Sequence, residues 1–232
     1  MAYDFVSGEV LFLYKPYRWT SFDLVRNVTS NIKKYCFFKP KVGHAGTLDP
    51  LATGLMIICT GQQTKQIYKY QDLPKVYAGK LKLGETTPSY DKETQVDQAF
   101  DISGITDNEI LSAVTGFLGE IDQVPPIYSA VKKEGKRSYD LARKGQKPKL
   151  ESRKVMIYDF KITEICMPFV SFEVKCSKGT YIRTLVNDFG KALNNGAYLV
   201  ELERTMIGDY SLKDCMNPEQ FTERLKSESI QK

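Results

Sequence analysis

The pattern of apolar and polar positions divides the chain into strand-like and helix-like segments. Apolar runs and period-two alternation predict strands at 9–14, 55–59, 75–84, 154–165, 168–176 and 198–207. Apolar residues at helical spacing predict helices at 21–35, 62–70, 106–117, 180–194 and 217–229, with a short basic helix near 137–144. The strands at 154–165 and 168–176 follow each other closely, so we expect them to form a hairpin.

The predicted helices have recognisable starts and apolar faces. Thr20 or Ser21 can cap the first helix, the sequence TDNE at 106–109 is a capping box, and Asn217 precedes a proline at the start of the last helix. The residues predicted to face the core are Phe22, Val25, Val28, Ile32, Ile110, Leu111, Val114, Phe117, Ile182, Leu185, Val186, Phe189 and Leu193. Strands and helices do not alternate regularly. We therefore predict an α+β fold with a mixed, largely antiparallel sheet flanked by helices and loops, in one domain over 1–232.

Composition indicates a soluble globular protein. The 232 residues are 42% hydrophobic and 26% charged, and no apolar run approaches the roughly 20 residues that span a bilayer. The first residues lack the features of a signal peptide, so we expect a cytoplasmic protein. The five cysteines include no C-x-x-C pair, which favours buried thiols over disulfides or a zinc site.

Positive charge is concentrated between residues 132 and 154. Ten basic and three acidic residues give this segment a net charge of +7, whereas the whole chain carries +5. Such a block suits a polyanionic partner, because lysine and arginine release counterions from phosphates. A solvated lysine-rich surface explains the same pattern equally well.

Segment 41–65, KVGHAGTLDPLATGLMIICTGQQTK, combines glycines and an Asp-Pro pair with a short apolar strand. Asp49 lies in this loop, where a fixed carboxylate could act as nucleophile or base. On local pattern alone, a turn-forming aspartate is the favoured interpretation. His44 is the only histidine and lacks the partners of a catalytic triad or metal site, so it points to a structural or substrate-contacting role.

Two further residues stand out from their surroundings. Arg183 falls in the first turn of the helix at 180–194, where the helix dipole disfavours a cation. An anionic partner or a side chain reaching into solvent would account for it. Tyr77 lies on the apolar face of the strand at 75–84, where it could be a core residue or stack on a base. Neither a P-loop nor a dinucleotide-binding fingerprint is present.

Several motifs together resemble one family. GHAGTLDPLATGLMIICTGQQTK is similar to the catalytic motif of the TruB family, the bacterial tRNA pseudouridine(55) synthases. LYKPYRWTSFD at 13–23, KVYAGKLKLG at 75–84, PPIYSAVKKEGKRSYDLARKG at 125–145, CSKGTYIRTLVNDFG at 176–190 and GAYLVELERT at 196–205 extend the resemblance over nearly the whole chain. The resemblance implies the pseudouridine-synthase α+β fold.

The resemblance also implies roles for individual residues. Asp49 matches the essential catalytic aspartate, Tyr77 the aromatic residue that stacks on the target base and helps to deprotonate it, and Arg183 the partner of the aspartate. The residues implied to bind the substrate are His44, Leu202, Lys15, Lys65, Lys132 and Tyr181.

The implied reaction isomerises the uridine at position 55 in the T loop of tRNA to pseudouridine on a flipped-out base. It needs no metal or cofactor, because it involves no redox change and no outside group. Whether the aspartate attacks the sugar, attacks the base or assists a glycal-type route stays open. We expect a monomer that needs no guide RNA, has no C-terminal PUA domain and binds the T stem-loop. Alternatives are the same chemistry on another RNA, or a non-catalytic module that binds or folds tRNA.

Overall fold

The computed structural model describes the backbone of residues 3–129, 132–133, 136–137 and 150–230, and the side chains of 3–129 and 150–228. Contacts within the chain define two compact units. The first unit consists of Met1–Tyr77 and Glu203–Lys232, and the second consists of Ala78–Leu202. The expectation of a single catalytic domain stays a prediction.

Strands and helices lie close to the predicted positions. In chain order the strands are β1 (Val10–Lys15), β2 (Val42–His44), β3 (Thr53–Thr60), β4 (Lys75–Leu83), β5 (Glu85–Thr86), β6 (Gln98–Ala99), β7 (Gly119–Gln123), β8 (Lys132–Lys133), β9 (Lys136–Arg137), β10 (Arg153–Cys166), β11 (Phe169–Cys176), β12 (Ala197–Ile207) and β13 (Tyr210–Ser211). The α-helices are α1 (Ser21–Cys36), α2 (Ile67–Gln71), α3 (Asp107–Ala113), α4 (Ile182–Ala192) and α5 (Pro218–Ile230). Turns of 3₁₀ helix lie at Gly61–Gln66, Val114–Phe117 and Leu212–Asp214. The basic helix expected near 137–144 falls mostly outside the described residues.

The first unit is built around β3. This strand pairs antiparallel with β1 and β2, and it pairs in parallel with the end of β12. Its apolar run is buried on both faces, and residues 55–59 have no exposed surface. Helices α1 and α5 pack against each other, with Phe221 and Leu225 buried on α5. The strand that carries the Asp49 loop is therefore fixed by three neighbouring strands.

Helix α1 begins and ends with clear capping structures. Thr20 Oγ1 accepts a hydrogen bond from Asp23 N (3.0 Å), and the Asp23 carboxylate accepts one from Thr20 N (2.9 Å), which together form a capping box. The chain leaves the helix at Phe37, whose φ is 60°. The predicted inward position of Phe22 is wrong, because its side chain is 61% exposed. At 100° per residue it lies about a third of a turn from Val28 in the buried stripe.

The second unit is a sheet with a phenylalanine core, in which β10 pairs antiparallel with both β11 and β7. Its strand order is β12–β4–β11–β10–β7, and β10 and β11 form the predicted hairpin. The aromatic rings of Phe117, Phe160, Phe172 and Phe189 lie 5.7 to 6.3 Å apart in adjacent pairs. The prediction that Leu111 faces inward is wrong, since it is 50% exposed. Helix α3 has only seven residues and buries Ile110.

These strands and helices confirm the predicted α+β class, with a mixed and largely antiparallel sheet. No helix in the described residues is long and apolar enough to cross a membrane. The five cysteines are free thiols. Cys59 and Cys176 are buried as expected and Cys215 is half-buried, but the expectation is wrong for Cys36 and Cys166, which are exposed.

Replacing Phe189 by alanine should lower the free energy of unfolding by about 3–5 kcal/mol, because its fully buried ring packs in the aromatic core. Denaturant unfolding monitored by circular dichroism measures this loss. Phe169→Ala is the control, since Phe169 is 38% exposed and its loss should cost less than about 1 kcal/mol. Equal losses in the two variants would contradict this description of the core.

Candidate active site

Asp49 lies half-buried in the loop between β2 and β3. The main chain of this loop is held on several sides. Ala52 N donates to the carbonyl of Asp49 (3.1 Å), and Arg18 N donates to the carbonyl of Pro50 (2.8 Å). Both ends of the loop enter strands that pair with each other. The carboxylate is thus accessible but is carried by a fixed backbone.

Helix α1 anchors the residue before Asp49. Buried Ser21 Oγ donates to the carbonyl of Leu48 (3.1 Å) and accepts from Leu48 N (2.8 Å). A serine in the first turn of a helix can use its hydroxyl in this way because the neighbouring chain lies beside the helix end. This reciprocal pair sets the distance between α1 and the Asp49 loop.

Lys15, at the end of β1, has no exposed surface. Its Nζ donates to the carbonyls of Trp19 (2.6 Å) and Pro16 (3.0 Å) and reaches that of Pro50 at 3.5 Å. Burial lowers the pKa of Lys15 to about 8, although the charge of Asp49 acts in the opposite direction. Burial leaves no exposed ammonium for the predicted substrate contact of Lys15. We infer instead that Lys15 holds the loop through its contact with the carbonyl of Pro50.

Arg204 is a second buried cation, 1% exposed, on β12. Its Nε donates to the carbonyl of Leu55 (2.8 Å), Nη2 to that of Gly46 (3.2 Å) and Nη1 to that of Thr47 (3.5 Å). One guanidinium therefore ties the start of the Asp49 loop to the strand that follows it. Arg204 was not predicted from the sequence. Its strand also carries glutamates, and an arginine among them is expected to face solvent.

Gly54 allows Arg204 to approach the loop closely. Its φ is +112°, and a Cβ at this position would lie 2.4 Å from the carbonyl oxygen of Arg204. A side chain would therefore clash with the main chain of β12, where Gly54 is paired with Arg204 in parallel register. The glycine is required for the close contact of these two strands.

The other predicted residues of the first unit differ in exposure. His44 is half-buried on β2, and burial, followed by the nearby charge of Arg204, lowers the pKa of its imidazole, so it is neutral at pH 7. Tyr77 is buried on β4, with 9% of its surface exposed. Lys65 is exposed on the 3₁₀ turn after β3, where its ammonium is accessible to a ligand.

Arg183 is 3% exposed in the second unit. Its Nη1 donates to the carbonyl of Ser89 (3.2 Å) and its Nη2 to that of Tyr128 (3.0 Å), while Nε lies 3.7 Å from Asp91 Oδ2. Asp91 therefore supplies the anionic partner that the position of Arg183 in the helix suggested. The predicted partnership with Asp49 joins residues of different units, and it stays a prediction.

Asp91 was not found by sequence analysis. Its carboxylate also accepts hydrogen bonds from Ser89 Oγ (2.6 Å) and Glu93 N (2.9 Å), and the residue is 5% exposed. The signal available in the sequence is the Ser-x-Asp spacing within a turn-forming stretch, which is typical of an ordinary turn. Only the fold brings this turn to the first turn of α4.

Gln123 fixes the start of α4. Its side-chain amide donates to the carbonyl of Tyr181 (3.1 Å) and accepts from Tyr181 N (2.7 Å), and it is 1% exposed. The guanidinium of Arg153 lies 4.6 Å from the centroid of the Tyr181 ring and donates to the carbonyl of Gly179. These contacts hold the half-buried Tyr181 ring in place, and neither Gln123 nor Arg153 was predicted.

Two predicted substrate-binding residues remain. Leu202 is half-buried on β12. The backbone of Lys132 pairs with Arg137 in the β8–β9 ladder, and its side chain lies outside the described residues. In the described part of the chain, no cluster of three or more histidine, cysteine, aspartate or glutamate residues could hold a metal ion.

Comparison with known proteins decides the family. The model of the TruB family pseudouridylate synthase N-terminal domain matches residues 33–182. tRNA pseudouridine synthase B of Parabacteroides distasonis is 48% identical over 228 residues, covering 98% of this chain and 97% of the relative. The enzyme of the same name from Flavobacterium johnsoniae is 49% identical, covering 96% and 98%. The chain belongs to the TruB family.

Solved structures match the fold of this chain. A Cbf5–Nop10–Gar1 complex matches with a TM-score of 0.69 and 26% identity over 94% of this chain. An H/ACA RNP bound to a substrate RNA containing 2′-deoxyuridine matches with a TM-score of 0.68 and 24% identity. This chain spans about half the length of those two chains, 54% and 53%. The expected pseudouridine-synthase fold is confirmed.

Replacing Arg204 by lysine should destabilise this TruB-family protein by about 1–3 kcal/mol for each loop carbonyl that loses its donor. One ammonium cannot reproduce the planar set of donors that reaches Gly46, Thr47 and Leu55. Urea unfolding measures the loss. Arg224→Lys, the same change at an exposed site in the same unit, should shift stability by no more than about 0.5 kcal/mol. If Arg204→Lys unfolds with the same free energy as the wild type, the role of Arg204 in holding the loop is refuted.

The stability contributed by Lys15 should depend on pH. Its folded pKa of about 8 is below the unfolded value of about 10.4, so the unfolded chain binds more protons between these values and stability from Lys15 rises with pH. Urea unfolding at pH 7, 8, 9 and 10 should show the advantage of the wild type over Lys15→Met growing over this range. Exposed Lys65→Met is the control. A difference independent of pH would disprove the assignment.

Proposed function

We propose that this protein converts the uridine at position 55 in the T loop of tRNA to pseudouridine, with Asp49 as the catalytic carboxylate. The observation that carries the proposal is the half-buried Asp49 on a loop whose backbone is held by Ser21, Lys15 and Arg204. Relatives named tRNA pseudouridine synthase B, 48% and 49% identical over nearly the full chain, support the substrate class.

The proposed reaction is an isomerisation. The bond between N1 of uracil and C1′ of ribose breaks, the ring turns, and a bond forms between C5 and the same C1′. The proton on C5 leaves and N1 ends with a proton, so atoms and electrons balance without an oxidant or a group donor. Asp49 can take part as a nucleophile at the sugar or the base, or by assisting a glycal-type route. Each route needs the carboxylate at a fixed position close to the reacting nucleotide.

Rigid positioning is the main contribution of the residues around Asp49. A catalytic group held close to the reacting atoms gains a large effective concentration, and small displacements cost much of that gain. Main-chain anchors at Gly46, Thr47, Leu48 and Pro50 support this requirement on both sides of Asp49. We infer that Ser21, Lys15 and Arg204 are positioning residues.

Other side chains are assigned to the uridine itself. The target base leaves the RNA stack and enters the protein, as in other enzymes that act on a nucleobase. Tyr77 is proposed to stack on it and to help with proton transfer, with Leu202 lining the pocket. Arg183 is proposed to be the cationic partner of the Asp49 carboxylate. Its hydrogen bonds to the carbonyls of Ser89 and Tyr128 and its ion pair with Asp91 give the guanidinium a defined orientation, which supports a role in positioning.

Contacts to the rest of the RNA are proposed for His44, Lys65, Lys132 and Tyr181. The neutral imidazole of His44 can donate or accept a hydrogen bond without charge, and Lys65 presents an exposed ammonium. The basic segment 132–154 is proposed to bind phosphates. We further infer that the enzyme works in the cytoplasm as a monomeric single domain without a guide RNA.

Incubation with an unmodified tRNA transcript, without any guide RNA, tests the activity. Pseudouridine is mapped by carbodiimide modification and primer extension, and the expected product lies at the T-loop uridine. A transcript with cytidine at that position is the matched control. Product at another uridine alone would favour a different RNA target, and tight binding without product would favour a non-catalytic tRNA-binding module.

Asp49→Asn should reduce the single-turnover rate by about 10⁴-fold or more, since the amide keeps the shape but loses the charge of the carboxylate. Quantitative mapping of pseudouridine at saturating enzyme measures the rate. Asp209→Asn, at an exposed turn of the same unit, should leave the rate unchanged. Substantial pseudouridine formation by Asp49→Asn would remove Asp49 from the catalytic role.

A further inference from the structure

Helix α1 and the residues on either side of it carry a second concentration of positive charge. Residues 17–41 contain six basic side chains and one acidic side chain, a net charge of +5 that equals the charge of the whole protein. The basic residues are Arg18, Arg26, Lys33, Lys34, Lys39 and Lys41. Unlike most of the basic segment 132–154, this region has described side chains, so its surface can be examined in detail.

Exposed aromatic rings lie among these charges. Phe22 is 61% exposed, Tyr17 is 45% exposed and Phe37 is 90% exposed. The Arg26 guanidinium carbon lies 5.0 Å from the centroid of the Phe22 ring, and that of Arg18 lies 5.7 Å from Tyr17. Aromatic rings and arginine planes are surfaces on which nucleobases stack, and cations beside them attract phosphates. A helix that exposes such rings leaves apolar area available to a ligand.

Few carboxylates compensate the charge of this region. Among the described residues of this region, exposed Arg26 forms an ion pair with exposed Asp23, with 3.8 Å between Nη1 and Oδ1. Asp23 also accepts hydrogen bonds from Thr20 at the start of the helix. Lys33 and Lys34 have no described carboxylate within 4 Å. A surface with this excess of cations favours an anionic partner.

The arrangement along the helix is directional. Phe22, Arg26 and Lys33 lie within about 40° of one another around the axis at 100° per residue, and sixteen residues extend over about 24 Å. The helix starts at Ser21, which binds the main chain next to Asp49. The exposed face therefore begins beside the Asp49 loop and leads away from it over a length that several nucleotides can follow.

We propose that the α1 face, defined as Tyr17, Arg18, Phe22, Arg26, Lys33 and Lys34, binds the backbone of the substrate RNA outside the target nucleotide. This inference rests on the proposed function for the identity of the RNA. Lys33 and Lys34 contact phosphates, and Phe22 with Arg26 forms a platform for a base or ribose. An acidic protein would satisfy the charges alone, but the cation-covered rings fit a nucleic acid better.

The test compares two charge-matched double variants in binding to a fluorescent, unmodified tRNA transcript from 50 to 300 mM salt. Lys33→Gln/Lys34→Gln should weaken binding roughly ten- to a hundredfold at 0.1 M salt and reduce the salt slope by about 1.5. Lys161→Gln/Lys175→Gln is the control. Lys161 already pairs with Asp159 at 2.5 Å, and both lysines lie exposed on the β10–β11 hairpin. In the control, the affinity should change by less than about twofold and the salt slope by less than about 0.3.

A separate variant tests the aromatic contact. Phe22→Ala should weaken binding about fivefold or more while leaving the salt slope unchanged, because it removes a stacking surface and no charge. Since Phe22 is exposed, the thermal unfolding midpoint should stay within a few degrees of the wild type. Arg18→Gln, at an exposed position of the same face that lies before the helix, provides a second charge variant should α1 itself lose stability.

The proposal is overturned if neither charge variant lowers RNA affinity or slope, or if the hairpin control loses as much as the α1 variant. It is also overturned if the α1 variant loses binding to poly-glutamate, used as an acidic protein probe, but retains full RNA binding. Pseudouridine mapping with the wild type separates this result from the proposed function. RNA binding that depends on α1, without any pseudouridine formed, would refute the proposed isomerase activity and would still support RNA binding by the α1 face.

Discussion

The architecture of the site depends on cations that are buried against main-chain carbonyls. Arg204 joins the carbonyls of Gly46, Thr47 and Leu55, and Lys15 joins those of Pro16, Trp19 and Pro50. A buried charge without such partners would cost several kcal/mol, so these contacts are required by the burial itself. They also fix the loop on both sides of Asp49. Stability of the fold and placement of the carboxylate therefore share the same hydrogen bonds.

Buried side chains that bind main-chain polar groups also occur in the second unit. Arg183 binds the carbonyls of Ser89 and Tyr128 and lies 3.7 Å from Asp91, while Gln123 binds both main-chain polar groups of Tyr181. The first turn of α4 has no side-chain cap of its own. Residues from distant parts of the chain supply the missing partners, so the end of the helix is held in a specific position. Both units thus present their functional side chains from backbones fixed by buried polar contacts.

Sequence periodicity predicted most of the secondary structure, because strands such as β4 and helices such as α1 bury one face. It failed for Phe22 and Leu111, where an apolar side chain lies at the edge of or outside the buried stripe. The family resemblance named Asp49, and the position of Arg183 in its helix left an anionic partner and a solvent-exposed side chain as alternatives, of which the structure shows the first. Sequence could not supply Arg204, Gln123 or Asp91, since their roles depend on carbonyls and helix ends that come close only in the folded chain.

Carbonyl partners have a consequence that carboxylate partners would not have. A carbonyl does not titrate, so the clamp by Arg204 keeps its geometry at any pH at which the protein folds. Lys15 differs, because burial lowers its pKa to about 8 and its deprotonated amine retains two donors for three carbonyls. The carbonyl of Pro50, the longest of these contacts at 3.5 Å, is then the first to lose its donor. Pro50 also accepts a hydrogen bond from Arg18 N (2.8 Å), and Arg204 holds Gly46 and Thr47 on the other side of the loop, so deprotonation of Lys15 weakens only one of several anchors.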